Sequence, residues 1–582
     1  GAQGHACQAP CGGIDVLAAG GDVAPAAAED SNGGSFSTTN IQELGVDEAD
    51  YFKSDGTYFY IAAEQSLRIV RAAPRDALAP VGRLNFDRQI HSIYLTGQRV
   101  LALLSDYGSG DFGGPELMIW PPYYRNARLH VVEVDVSDPA NPTEVRRIEL
   151  DGALVSSRLI DTRLVLVMTV DPDVTDAQRV PLDNLLPRAR TSAGEVEVAP
   201  WSRWLRPEDP FGSRMTVAVT LDTANIEQIA SSVGVLADAQ TIYASRTALY
   251  IAQSRSVTDD QGRFGTRTDI HRLNISERGN VSYAGSGEVP GYLLNQFSLG
   301  EFENRLRVAT HVDGGQFISL PRTIDGGPDD VVGVAIEPGQ STTGVYVLEQ
   351  AGERLTIVGS VTGLAPGERL YSARFVTDHA FLVTFRQVDP LFVIDLTQPT
   401  EPRVAGELKI PGYSEYLHLL APDRLLGIGR TVVESPWGGV MNGGVQVSLF
   451  DVSDWSNPRA LQQLAIGGVG SVSDVSQDHR ALAILPERNL LAIPAVLYRQ
   501  QDSSAFEYLP EFDGALLFRI ERDQLVSIGR LGSLLPLNQP WYWGSWRRAA
   551  FIGDDVYSVT PAGVRAAPIA DPTATRSAEL AQ

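Results

Sequence analysis

DVSDPANPTE (Asp135–Glu144), DLTQPTEPRV (Asp395–Val404) and DVSDWSNPRA (Asp451–Ala460) are three wordings of one turn. In each, an Asp closes a β-branched run, a Ser or Thr follows two residues on, and a Pro stands just before the next run. Asp and Ser side chains bond nearby backbone amides in such turns, and Pro presets the backbone. The three Asp carboxylates could also hold calcium, but turn chemistry accounts for the pattern without an ion.

Outward from these turns the chain alternates short apolar runs with turn residues, and long 3.6-residue periodicity is almost absent. The runs recur as units of four strands, A to D. Their B strands read Tyr58–Ala62, Val100–Leu104, Leu164–Met168, Ala248–Ala252, Leu306–Thr310, Ala380–Phe385, Leu425–Gly429, Leu490–Pro494 and Val556–Val559. Repeats at this spacing predict an all-β fold, a single large β-propeller of eight or nine four-stranded blades. The last unit (Arg547–Ile569) shows three strands, so an N-terminal strand from Phe36–Leu44 is expected to close the ring. The Gly/Ala/Pro-rich residues 1–35 read as a flexible linker, and residues 36–582 as the propeller.

The chain has 582 residues, of which 43% are hydrophobic, and a formal net charge of −24. That composition fits a packed core, and so acidic a chain is a poor partner for nucleic acid. No apolar stretch is long enough for a membrane helix. Only Lys53 and Lys409 are lysines, which argues against Schiff-base chemistry; a P-loop, HExxH, CxxCH and GxSxG are all missing. Cys7 and Cys11 stand near the start with His5; a local disulfide, an idle pair and a soft-metal site all remain open for them. No charged and apolar leader precedes them, which leaves open whether one was removed.

Two stretches carry a family resemblance: FSTTNIQELGVDEADYFKSDGTYFYIA (Phe36–Ala62), and RLYSARFVTDHAFLVTFRQVDPLFVIDL continuing to PGYSEYLHLLAPDRLLGIG (Arg369–Gly429). The sequence resembles secreted bacterial and archaeal proteins with a C-terminal β-propeller distantly related to WD-40 repeats. The resemblance implies a propeller and an exported protein, in the periplasm, at the cell surface or beyond. It implies no activity.

In such a fold the B–C and D–A connections leave one face. The long insertions fall between B and C: Ser105–Arg128, Asp171–Arg214, Ser254–Asp269, His311–Thr343, Thr431–Gly444 and Tyr498–Gly514. They carry Trp120, Tyr123, Tyr124, Arg125, Trp201, Trp204, Arg206, Phe211 and Trp437, and the last D–A connection adds Trp541, Tyr542, Trp543 and Trp546. Such residues suit recognition of a protein or glycan, and they equally suit a packed lid.

The A strands should line the channel and bring together Asp47, Glu48, Asp50, His91, Arg158, Gln296, Arg374, His418, Asp474 and Arg547. A charge-neutral network is the plainer expectation for these groups; a cation or anionic ligand is the functional one. Convergence of His91, His418 and the VDEAD carboxylates would suit a transition-metal enzyme. His379 and His479, each after an Asp, read as turn residues. Asp171, Asp173 and Asp176, and Asp325, Asp329 and Asp330, are weak calcium patterns within ordinary acidic loops.

The favoured reading is therefore an exported, non-enzymatic binding propeller with structural calcium.

Overall fold

The computed structural model describes residues 28–29, 35–106, 127–171, 185–207, 214–258, 263–321, 331–338, 340–386, 389–435, 439–500, 508–537 and 545–580. Within them the chain makes nine consecutive four-stranded antiparallel units. Blade 1 is Phe52–Ser54, Tyr58–Ala63, Ser66–Arg71 and Ala79–Asn85. Blades 2 to 8 run over 89–151, 153–235, 241–290, 299–364, 369–410, 413–466 and 472–532, and blade 9 is Arg548–Ile552, Asp555–Thr560, Gly563–Pro568 and Arg576–Glu579. The nine B strands are the nine apolar runs of the sequence. They read as continuous apolar segments because both faces of a blade are covered by its neighbours.

The core is distributed between blades. Nine hydrophobic clusters occur among the described residues, each shared by two consecutive blades. The ninth joins Ile552, Tyr557 and Val559 of blade 9 to Phe59, Ile61 and Val70 of blade 1. That cluster closes the ring, and the count is nine rather than eight.

Closure differs from the expected form. The fourth strand of blade 9 is Arg576–Glu579, from the end of the chain itself. Its burial alternates weakly, with one buried residue in four, so no apolar run marked it. The N-terminal strand Ser35–Phe36 does join blade 9, pairing Phe36 with Ile552, as an extra strand inside the innermost one.

The repeated turns form as expected. Asp135, Asp395 and Asp451 accept from the amides of Ser137, Thr397 and Ser453 at 2.9, 2.9 and 3.0 Å, and each also pairs with an arginine. The turns then lock the rim. Strand D of several blades carries a bulge followed by a glycine, and the next blade's C–D turn sits where a Cβ would be. A Cβ on Gly359 would stand 2.2 Å from Pro399 O, and one on Gly406 would stand 2.2 Å from Trp455 O. Gly82 faces Pro139 and Gly529 faces Pro572 in the same way. In blade 7 the equivalent residue is Gln462, which instead bonds Leu525 of blade 8.

The insertions are partly structural, not merely loops. In the blade 3 insertion, Arg188–Thr191 and Gly194–Glu197 form a hairpin on the outer strand of blade 2, and Trp204–Leu205 pairs with Gly234 and Val235 of blade 3. In the blade 5 insertion, the hairpin Gly315–Pro321 with Val331–Pro338 reaches back to blade 4 at Arg263 and Phe264.

Candidate functional site

The segment before blade 1 crosses the channel and touches every other blade. Ser37 N donates to Phe551 O of blade 9 at 3.0 Å. Asn40 Nδ2 donates to Tyr416 Oη of blade 7 and to His479 O of blade 8, at 3.0 and 2.8 Å. Gln42 Nε2 reaches Gln296 O and Leu299 O of blade 5, and Gln42 O accepts from Arg374 of blade 6. Tyr243 Oη of blade 4 donates to Glu43 at 2.7 Å. Asp47 and Leu159 of blade 3 exchange backbone bonds, as do Asp50 and Ile93 of blade 2. The stretch therefore visits the blades in the reverse of chain order. Asp47, Glu48 and Asp50, expected on an A strand, belong to this crossing segment.

The crossing segment separates two cavities. One, of about 410 Å³, meets Ser37, Thr38, Asp47, Asp50 and the A-strand ends Leu95 and Leu159. It opens on the face of the short turns. The other, of about 470 Å³, meets Glu48, Arg158, Phe297, Tyr416 and His479, and the A-strand beginnings His91 and Leu154. It lies on the insertion face.

Around the crossing, Asp47, Glu48, Asp50, Asp474, Asp478 and Asp513 are engaged by Lys53, His479, Arg480, Arg547 and Arg548, while Arg158 and Arg374 bond neutral groups. Lys53 pairs with Asp47 at 2.7 Å. Arg548 grips Asp50 and also bonds Asp478, which Arg480 engages at 2.7 Å. Arg547 holds Asp513 at 2.6 Å, and its backbone amide donates to Asp474 at 3.2 Å. Burial tends to raise the pKa of Glu48, yet His479, Arg158 and Arg480 outweigh it and hold the carboxyl well below its usual range. At Asp474 burial prevails over Arg547 and Arg548, and the pKa is raised.

The histidines do not converge as expected. His91 faces the insertion-side cavity, and burial and Arg480 lower its pKa to about 4. His418 is buried beside Tyr416, 3.2 Å from Tyr416 Oη to Nδ1, and burial, Arg374 and His479 lower it to about 3. His479, expected only as a turn residue, is one and more: its Nε2 lies 3.2 Å from Glu48. Among the described residues no three His, Cys, Asp or Glu side chains gather closely enough for a metal ion.

Sequence reasoning missed Asp478, Arg480 and Arg548 at the centre. Blade 8 has a broken innermost strand: Val472–Ser473, the 3-10 turns Asp474–Ser476 and His479–Ala481, then Ala483–Leu485. Asp474 thus sits in a turn rather than a strand. The signal was the charged triplet Asp478-His479-Arg480, set where an innermost strand should run.

Of the aromatic set, Trp201, Trp204 and Trp546 are described. Trp204 covers Gly234, and its Nε1 donates to Ala199 O at 2.9 Å; Trp201 lies 6.3 Å from it, ring to ring. Trp546 stacks on Tyr51 at 5.5 Å. All three are engaged in packing. Arg206 is exposed. Trp120, Tyr123, Tyr124, Arg125, Phe211, Trp437, Trp541, Tyr542 and Trp543 lie outside the described residues, as do His5, Cys7, Cys11, Asp173, Asp176, Asp325, Asp329 and Asp330. Asp171 is described, and it accepts from Arg214 Nε at 3.1 Å.

The family model described as beta propeller domain matches residues 36–571. The chain belongs to that family. The match takes in nearly the whole chain rather than a C-terminal part. An uncharacterized protein of Archaeoglobus fulgidus is 26% identical over 516 residues, covering 79% of this chain and 75% of the relative. One of Methanocaldococcus jannaschii is 24% identical over 507 residues, covering 74% and 69%. Among solved structures, Saccharomyces cerevisiae Sqt1 is similar at 9% identity and a TM-score of 0.31, covering 83% of this chain and 93% of that one. A hypothetical selenium-binding protein of Sulfolobus tokodaii is 9% identical, with a TM-score of 0.25 and coverage of 78% and 95%.

Proposed function

We propose that the protein is a non-enzymatic binding scaffold, exported to the cell envelope or beyond, that engages a protein or glycan on its insertion face. The observation that supports this reading is positional: the described B-strand ends from which the long B–C connections depart, such as Ser105 and Val170, lie at the same end of the blades as the A-strand beginnings that line the 470 Å³ cavity. A rigid ring presenting irregular segments on one side is the usual layout of a binding surface. No helix among the described residues is long and apolar enough to cross a membrane.

The test replaces Trp120, Trp437 and Trp543 together by Ala. The variant should melt like the parent, yet lose retention on a glycan array or cross-linking to envelope fractions. Unchanged retention would overturn the reading. Structural calcium in the Asp325–Asp330 loop is part of the proposal. Stoichiometric calcium by elemental analysis, with a melting point lowered by EDTA, is the expected result. A stoichiometric transition metal would instead revive the metalloenzyme.

A further inference from the structure

We infer that the insertion-side cavity is a binding site for a small carboxylate, anchored on Arg158. The inference rests on the proposed binding role of this face and narrows it to a chemical class.

Arg158 sits on the innermost strand of blade 3 (Ala153–Ile160), lines the cavity and is only 5% exposed. Its bonds are all to neutral groups. Nη1 donates to Ser156 Oγ and Ser157 O, each at 2.7 Å, and Nη2 donates to Gln296 Oε1 at 3.0 Å. Among the described residues no carboxylate lies within ion-pairing distance of it. A guanidinium has five N–H donors. Nε–H and one Nη2 hydrogen are therefore left over, two donors from neighbouring nitrogens of one fork. A carboxylate takes such a pair with two parallel hydrogen bonds.

The acids of the cavity are already engaged. Glu48 lies 3.2 Å from His479 and accepts from Gln42 N at 3.1 Å. Glu415 pairs with Arg430 at 3.2 Å, and Asp478 with Arg480 and Arg548. An arriving cation meets carboxylates that are spoken for, whereas an arriving carboxylate meets Arg158. The rings of Phe297 and Tyr416, 5.5 Å apart, supply an apolar wall for a carbon skeleton. A volume of about 470 Å³ suits a small molecule.

The experiment is thermal shift and titration calorimetry on the full chain with succinate, its neutral isostere succinamide, and sodium sulfate as an ionic-strength control. Succinate should raise the melting temperature saturably, and succinamide should not. Arg158→Gln should abolish the response, and Arg158→Lys should weaken binding at least tenfold because it keeps charge and loses the fork. Equal response to succinamide, an unchanged response in Arg158→Gln, or no response to succinate would overturn the inference. If Arg158→Gln does not fold, the comparison of succinate with succinamide on the parent chain decides alone. The two readings fail separately. Loop-dependent partner retention without a succinate response removes the carboxylate site only; a succinate response without that retention removes the partner reading only.

Discussion

Asp50 and Arg548, 498 positions apart, form a forked ion pair in which Arg548 Nε and Nη2 both donate to the Asp50 carboxylate, at 3.0 and 2.6 Å. Their side chains are 1% and 2% exposed. The pair ties the entrance of blade 1 to the innermost strand of blade 9, at the seam where the ring closes. Asp50→Asn should cost about 1–3 kcal/mol, because it takes one of two carboxylates from a buried guanidinium and leaves Asp478 as the other. The double variant Asp50→Leu/Arg548→Met should lose less than the two single losses summed. Chemical denaturation of all four proteins measures the coupling.

The rim offers an independent test. Gly406→Val would drive a side chain into Trp455 O and Pro458 of the next blade, and about 1–3 kcal/mol of destabilisation is expected from the overpacking. Gly265→Ala is the control, since a Cβ there meets nothing within 4 Å. Equal melting points for the two variants would show that the turn does not seat on the glycine.

Much of this architecture is legible in the sequence because propeller blades bury both faces of their B and C strands. VLALL at Val100–Leu104 is buried throughout, and no surface strand reads that way. The rim turns are equally legible, since an Asx turn is local chemistry. Arg576–Glu579 is not legible: an outer strand facing solvent needs no apolar pattern. The site is the least legible part. Asp50 meets Arg548, and Asn40 meets Tyr416, through ring closure and the channel crossing, and no spacing within the chain encodes either. The VDEAD carboxylates stood out by charge, but their position on a crossing segment, rather than on an A strand, depends on all nine blades being in place.

Acidification should destabilise the protein before its carboxylates titrate. His271 and His418 are buried and His91 half-buried against the cavity, and desolvation lowers the pKa of His91, His271 and His418 from 6.5 to about 4, 4 and 3. Between those values and 6.5 the unfolded chain takes up protons that the folded chain refuses, so stability is full above about pH 6.5 and falls as pH drops. Asp474, with its raised pKa, opposes this near the carboxylate range. Glu48 and Asp478, with lowered values, add to the loss once the unfolded carboxyls protonate. His418→Gln should flatten the slope of stability against pH by about one proton, roughly 1.4 kcal/mol per pH unit at its steepest. Denaturation at pH 7, 6, 5 and 4 reads the difference. An unchanged slope would mean that His418 titrates normally.

Removing the residues before Phe52 should do more than shorten the chain. Asn40, Gln42, Glu43, Asp47 and Asp50 supply hydrogen-bond partners to Tyr416, Arg374, Tyr243, Lys53 and Arg548 from inside the ring. Each buried polar group left without its partner costs about 1–3 kcal/mol, and more where it is charged. Five such losses match the roughly 5–15 kcal/mol by which a folded domain is stable at all. The truncated chain should therefore lose its cooperative melting transition, measured by circular dichroism. A synthetic peptide of residues 35–51, added in trans, should restore it in a concentration-dependent way, because it binds the folded ring and not the unfolded chain. A truncated protein that melts like the parent would show that the ring stands on its blade–blade cores alone, with the crossing segment merely lodged inside it.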